Sequence, residues 1–227
     1  MEKEFQKRIN EINLVLCKIK ELTKKQTLNS SDTYLNILKS LIIIMLYNLS
    51  ESTVRIAFQA IIDTIVNEKI NYNIVTDPFK NLWIDIKTNG LFDPNASYTT
   101  YKKKVTCIVD SILKNDNYLD FDSKFESWES VYLPGGNINK EQIFKLCRKY
   151  NIDFKEKDDN SFIHYAMDEQ KIVRNHLSHG NTSFETEGEK LSIQSIESSI
   201  KITVSFLTDF MDSIKIFIKK GDYKQKE

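Results

Sequence analysis

The stretch IVRNHLSHGN, residues 172–181, places Arg174, His176 and His179 close together. An arginine and a histidine held in one pocket can cleave RNA without a metal. The imidazole can take the proton from a ribose 2′-OH or return one to the leaving 5′-oxygen. The guanidinium offers a planar fork of donors to a phosphate on which negative charge is building. Arg174 and His179 are the candidate catalytic pair, and polar Asn175, directly after the arginine, is a supporting residue. His176 faces elsewhere on a helix and reads as a packing or surface histidine.

These residues end an amphipathic helix expected over 161–179 and closed by Gly180. Five helical steps separate Arg174 and His179 by about 7.5 Å along the axis and roughly 140° around it. One straight helix does not aim both side chains at the same atom. They converge if the helix ends near His179, or if a second copy faces the first across a dimer. A histidine in a last turn can also simply complement the helix dipole.

A second polar set interrupts the helix expected from about Thr33 to about Asn67. Asn48, Glu51, Ser52, Arg55 and Gln59 fall on one face, directly after LKSLIIIMLYNL, a run apolar nearly all the way round. Glu51 is a candidate to orient His179 or Arg174. Arg55 either holds phosphate or pairs with Glu51, its i,i+4 neighbour. Asn48 completes this supporting group. Lys102, Lys103 and Lys104, near Tyr98 and Tyr101, are candidate substrate contacts, although such a run is more often a solvated helix face. His164 reads as structural. Asp158, Asp159, Asp168 and Glu169 are scattered without ligand spacing, so no metal site is expected. There is no Walker loop, dinucleotide fingerprint or H-E-x-x-H, and no cofactor is expected.

The remaining elements must position these groups. At 227 residues, with 41% hydrophobic and 28% charged residues, the chain is long enough for one substantial core. Lys+Arg and Asp+Glu are both 32, so no global basic field advertises nucleic acid. Six glycines and three prolines suit long helices. Cys17, Cys107 and Cys147 are too sparse for a disulfide framework or a Cys-rich zinc site. The charged N-terminal segment lacks a signal-peptide core, and the longest apolar run, Leu41 to Tyr47, is too short to span a bilayer. A cytoplasmic protein with no membrane partner is expected.

Phe5, Ile9, Ile12, Leu16 and Ile19 predict a helix over 3–25 with one buried stripe. Asn29 to Asp32 offer N-caps for the next helix. Asp77 as N-cap, Pro78 at the first helical position and Gly90 as stop give a helix over 78–89. Tyr98–Lys114 is a further helix, and 115–138 reads as irregular with a turn at Pro134-Gly135-Gly136. Asn139 with Gln142 caps a helix through Tyr150, and 151–160 is a charged loop. A polar hairpin-like loop follows Gly180. A last helix, from about Ile193 to Lys220, buries Ile196, Ile200, Leu207, Met211, Ile214 and Ile218. One all-α domain spanning 1–227 is the expected organisation.

Residues 161–184, with RNHLSHGN at their centre, resemble the HEPN proteins (higher eukaryotes and prokaryotes nucleotide-binding). Their signature is an arginine followed after four to six residues by a histidine, usually with a polar residue after the arginine. LNILKSLIIIMLYNLSESTVRIAFQAI and GNINKEQIFKLCRKYNI are similar to the stand-alone HEPN proteins of bacterial defence and toxin loci, while 70–133 match only loosely. The resemblance implies a four-helix bundle of helices 3–25, 33–67, 161–179 and 193–220, with 70–160 as an inserted helical elaboration. It also implies a homodimer with both motifs at a shared cleft, and metal-independent endoribonuclease activity leaving 2′,3′-cyclic phosphates. RNA would be the substrate, and a neutralising antitoxin or defence protein the partner. The alternative is a HEPN bundle that keeps Arg174 and His179 but only holds a partner protein or nucleotide. The neutral net charge suits that alternative.

Overall fold

The computed structural model describes residues 1–25, 33–88, 97–113, 118–121, 137–156 and 162–226. These form eight helices: α1 (Glu2–Lys25), α2 (Thr33–Asn67), α3 (Asp77–Thr88), α4 (Tyr98–Leu113), α5 (Lys140–Lys149), α6 (Phe162–Ser178), α7 (Phe184–Glu189) and α8 (Ile193–Lys220). No strand is present among the described residues; the extended pairings are two isolated bridges, Asn71 with Tyr118 and Val75 with Lys224. The architecture is all-α, as the periodicity predicts. The expected cap at Asn29–Asp32, the stop at Gly90, the Pro134-Gly135-Gly136 turn and residues 157–160 of the charged loop lie outside the described residues.

The chain divides into two compact units, one of Met1–Ala57, Gly136–Lys145 and Phe154–Asp212, the other of Phe58–Gly135, Leu146–Asp153 and Ser213–Glu227. The first holds the candidate site. Its core takes Phe5, Ile12 and Ile19 from α1, Ile42, Ile43, Leu46 and Tyr47 from α2, and Ile163, Met167 and Val173 from α6. Ile196, Ile200, Leu207, Phe210 and Met211 of α8 complete it. The sets from α1 and α8 lie on one apolar helical face, whereas α2 is buried on most of its circumference. Phe154, near the start of the segment 151–160 read as a charged loop, is also buried and packs edge-on to Phe206 at 5.3 Å and Phe210 at 5.7 Å between ring centres. A buried hydrogen bond from the Gln170 amide to the Thr203 hydroxyl (2.8 Å) joins α6 to α8, so these polar groups are not left unsatisfied. Lys20 pairs with Glu197 between α1 and α8.

In the second unit Tyr150 packs against Phe58 and Phe79, each at 5.1 Å, and Phe79 against Phe217 at 6.2 Å. The Cys147 thiol is buried there, which pushes its pKa up to about 12; it behaves as a small apolar side chain. Helix α3 starts one residue earlier than expected. The Thr76 carbonyl accepts from both Phe79 and Lys80, which makes Thr76 the capping position and places Asp77 inside the first turn.

Four helices end alike. At Lys69, Asn151, Gly180 and Gly221 the backbone turns to positive φ. Paired bonds then reach back over the last turn, as in Gly180 N–H to Leu177 and Asn181 N–H to His176. This Schellman closure satisfies carbonyls that a helix end leaves open. At Gly180 (φ +70°) a side chain would be strained although nothing stands within 4 Å of it. Gly180→Ala is expected to cost about 1 kcal/mol, lowering the thermal midpoint by about 2–4 °C. Gly180→Asn should cost less, because asparagine tolerates this conformation; equal losses in a melting series would contradict the assignment.

Helix α2 is, by length and composition, apolar enough to cross a bilayer, yet 61% of its most apolar stretch is buried inside the protein. A core helix has that composition for the same reason: apolar surface is removed from water.

Candidate active site

The closure at Gly180 decides what His179 can do. Helix α6 runs to Ser178, and His179 is the capping residue, its N–H still bonded to the Asn175 carbonyl at 3.1 Å. Its imidazole is exposed. Among the described residues it has neither a hydrogen-bond nor an ion-pair partner, so it is open to a ligand.

Arg174 is half-buried and turned toward α2. Its guanidinium carbon lies 5.1 Å from the centre of the Tyr47 ring, and Nη1 donates to the Asn175 side-chain oxygen at 2.9 Å. Stacking on an aromatic face fixes the plane of the guanidinium and leaves donor edges outward. Asn175 in turn donates to Asn137 at 3.4 Å. The Ile138 N–H donates to the Tyr47 hydroxyl at 3.4 Å, which ties the segment before α5 to the same cluster. Asn139 caps α5 by accepting from the Gln142 N–H (3.0 Å), and its amide donates to Asp168 of α6 (2.8 Å). The motif helix is therefore braced at two levels by residues 137–139.

Tyr47 was not among the residues singled out from sequence, because it ends an apolar run. It is 1% exposed. Burial first, and then the Glu51 carboxylate, push its hydroxyl above the ordinary pKa, while the Ile138 N–H and Arg174 pull the other way. Glu51 and Arg174 thus act on one buried hydroxyl, which relates the α2 polar stripe to the motif. Within that stripe Glu51 is half-buried, Ser52 is buried with its hydroxyl donating to the Leu49 carbonyl (3.1 Å), and Asn48 and Arg55 are exposed. Lys102 and Lys103 on α4 are exposed and belong to the second unit; the Lys104 side chain lies outside the described residues.

His176 has a partner that sequence reading did not anticipate. Its Nδ1 lies 3.5 Å from Oε1 of Glu187, a carboxylate only 4% exposed, whose other oxygen takes the Lys190 ammonium at 2.9 Å. Burial raises the Glu187 pKa, but Lys190, His176 and Thr182 outweigh it and hold the carboxyl below its ordinary value. Glu187 sits on α7, a helix in the segment read as a polar loop. The signal for it was local: the Ser183 hydroxyl accepts from the Thr186 N–H at 3.1 Å, an N-cap. Helix α7 is pinned to the start of α2 by a Thr33–Glu185 hydrogen bond and by Gly188, which touches the backbone of Asn36.

Two histidines, an arginine, a buried tyrosine and two carboxylates therefore surround the C-terminal half of α6. Such a set offers donors for a phosphate and groups able to exchange protons. Among the described residues no group of three or more His, Cys, Asp or Glu is placed to hold a metal ion.

No curated protein and no solved structure matches the chain. A family model does: the one described as HEPN_MAE_28990-like HEPN matches residues 1–223. That span takes in α1 to α8 with both the motif helix and its α2 support, and the chain belongs to the MAE_28990-like HEPN family.

Proposed function

We propose that this protein is a metal-independent endoribonuclease that works as a homodimer and leaves 2′,3′-cyclic phosphate and 5′-hydroxyl ends. The observation that carries the reading is the division of labour on α6. Arg174 is stacked and oriented on Tyr47, while His179 stands exposed at the helix cap. The arginine holds and neutralises the phosphate. The histidine takes the 2′-OH proton. Because one helix turns the two about 140° apart, we place the reaction in a cleft where two copies bring their α6 ends together. Asn175 orients Arg174 directly; Glu51 acts on the Tyr47 platform beneath it. Asn48, Arg55 and the Lys102–Lys104 run are candidate contacts for the rest of the RNA. A cytoplasmic toxin or antiviral effector, neutralised or triggered by a partner protein, is the biological setting we infer.

A second reading has its own support: both Arg174 and His176 already have partners inside the chain, as in a module that only binds. The test is incubation of purified protein with RNA in EDTA, with the product ends identified. Cyclic phosphate ends are expected. Free 3′-hydroxyl ends would refute the mechanism, and uncut RNA that stays bound would establish the binding module instead.

A further inference from the structure

We propose that His176, held by the buried carboxylate of Glu187, is the general acid of the site and protonates the leaving 5′-oxygen while His179 serves as the base. The assignment rests on the ribonuclease reading above and adds a residue to it.

The geometry separates the two histidines. His176 presents Nδ1 to Glu187 at 3.5 Å and is 45% exposed. Nδ1 thus lies at ion-pair distance from a buried carboxylate oxygen that has no hydrogen-bond partner, and Nε2, on the far side of the ring, is the nitrogen we assign to substrate. A carboxylate placed behind an imidazole helps to orient the ring. His179 has no such carboxylate among the described residues. Three helical steps separate them by about 4.5 Å and roughly 60°, so both face the same side of the last turns. Arg174 faces the Tyr47 side.

The charges around His176 are few. Glu187 faces it from α7, with Lys190 on the other carboxylate oxygen and the Thr182 hydroxyl alongside. Glu169, on α6 itself, adds a second negative charge near Glu187.

The step balances. The 2′-oxygen bonds to phosphorus and gives its proton to His179. The bond from phosphorus to the 5′-oxygen breaks, and that oxygen takes the Nε2 proton of His176. The products are a 2′,3′-cyclic phosphate and a 5′-hydroxyl, and proton exchange with water resets both rings.

The experiment compares wild type, His176→Ala, His179→Ala and Glu187→Gln on an RNA dinucleotide and on uridine 3′-(4-nitrophenyl phosphate). Nitrophenolate leaves without a proton. His176→Ala should lose about 100-fold or more on the dinucleotide, but less than tenfold on the nitrophenyl ester. His179→Ala should fail on both. Glu187→Gln should lose activity on the dinucleotide alone, with melting curves confirming that it folds. His176→Ala as active as wild type on the dinucleotide overturns this assignment and leaves Arg174 and His179 standing. An equal loss on both substrates overturns it too, because His176 would then serve packing rather than proton transfer. A wild type that cuts neither substrate overturns the ribonuclease reading, and the acid role with it.

Discussion

Arg174→Ala will slow RNA cleavage by about 10²–10³-fold, the usual cost of deleting one donor that meets charge built up in the transition state. Stability will fall by only about 1 kcal/mol, for the lost stacking on Tyr47 and the hydrogen bond to Asn175. Arg174→Lys will not restore the rate. A lysine brings the charge, but neither the planar fork nor the stack. His179→Ala should lose about 10²–10⁴-fold and melt within about 0.5 kcal/mol of wild type, since its imidazole is exposed. Rates and melting curves on the same preparations separate these effects. If activity tracked stability alone, neither residue would be catalytic.

Gly188→Ala carries the second large effect, and it is structural. An added Cβ would lie 1.8 Å from the Asn36 carbonyl oxygen and 2.4 Å from its carbon. Both are backbone atoms of α2, inside a helix that cannot turn aside. The substitution must push α7 away and loosen the Thr33–Glu185 bond and the Glu187–His176 pair. Overpacking against backbone with loss of those contacts should cost about 3 kcal/mol or more. For a chain of this size that is a fall of about 6–12 °C in the melting midpoint. RNA cleavage should drop as well, because His176 loses its carboxylate. A midpoint unchanged to within about 2 °C would show that α7 is not held where Gly188 places it.

The parts of the fold that buried one apolar face were legible in the chain. The stripe from Phe5 to Ile19 marks α1, and Ile196 to Ile214 mark α8, where Phe217 rather than the half-buried Ile218 completes the buried face. Asn139 with Gln142 announced the start of α5, and Gly180 announced the end of α6, because caps have local chemistry. Helix α7 left no such stripe. Its buried residues are Glu187 and Gly188, one saved by Lys190 and His176, the other by having no side chain. The contacts with His176 and with Asn36 are not local, and a polar six-residue helix reads as a loop.

The site was legible to the same degree. Arg174, Asn175 and His179 stand out by type and spacing. The Tyr47 platform does not, because a tyrosine closing an apolar run looks like core until the Arg174 guanidinium is found over its ring. Glu51 was expected to act on His179 or Arg174. Its charge acts on the hydroxyl of Tyr47, one turn back along α2, which the Arg174 charge influences as well. The Glu187 carboxylate near His176 was not foreseen, because it comes from a helix that left no apolar stripe. Ile152 and Phe154 were hidden in the same way, by charged neighbours in NIDFKEKDDN.

The most direct test of the central claim, that Arg174 and His179 act together in a cleft shared by two copies, is cleavage in EDTA by Arg174→Ala, His179→Ala and their equimolar mixture, beside wild type. Each variant alone should be nearly silent. The mixture should recover about a quarter of wild-type activity, since half of randomly paired dimers are mixed and each keeps one intact site. A mixture as silent as its components would contradict the shared cleft, and single variants that cut like wild type would contradict the site itself.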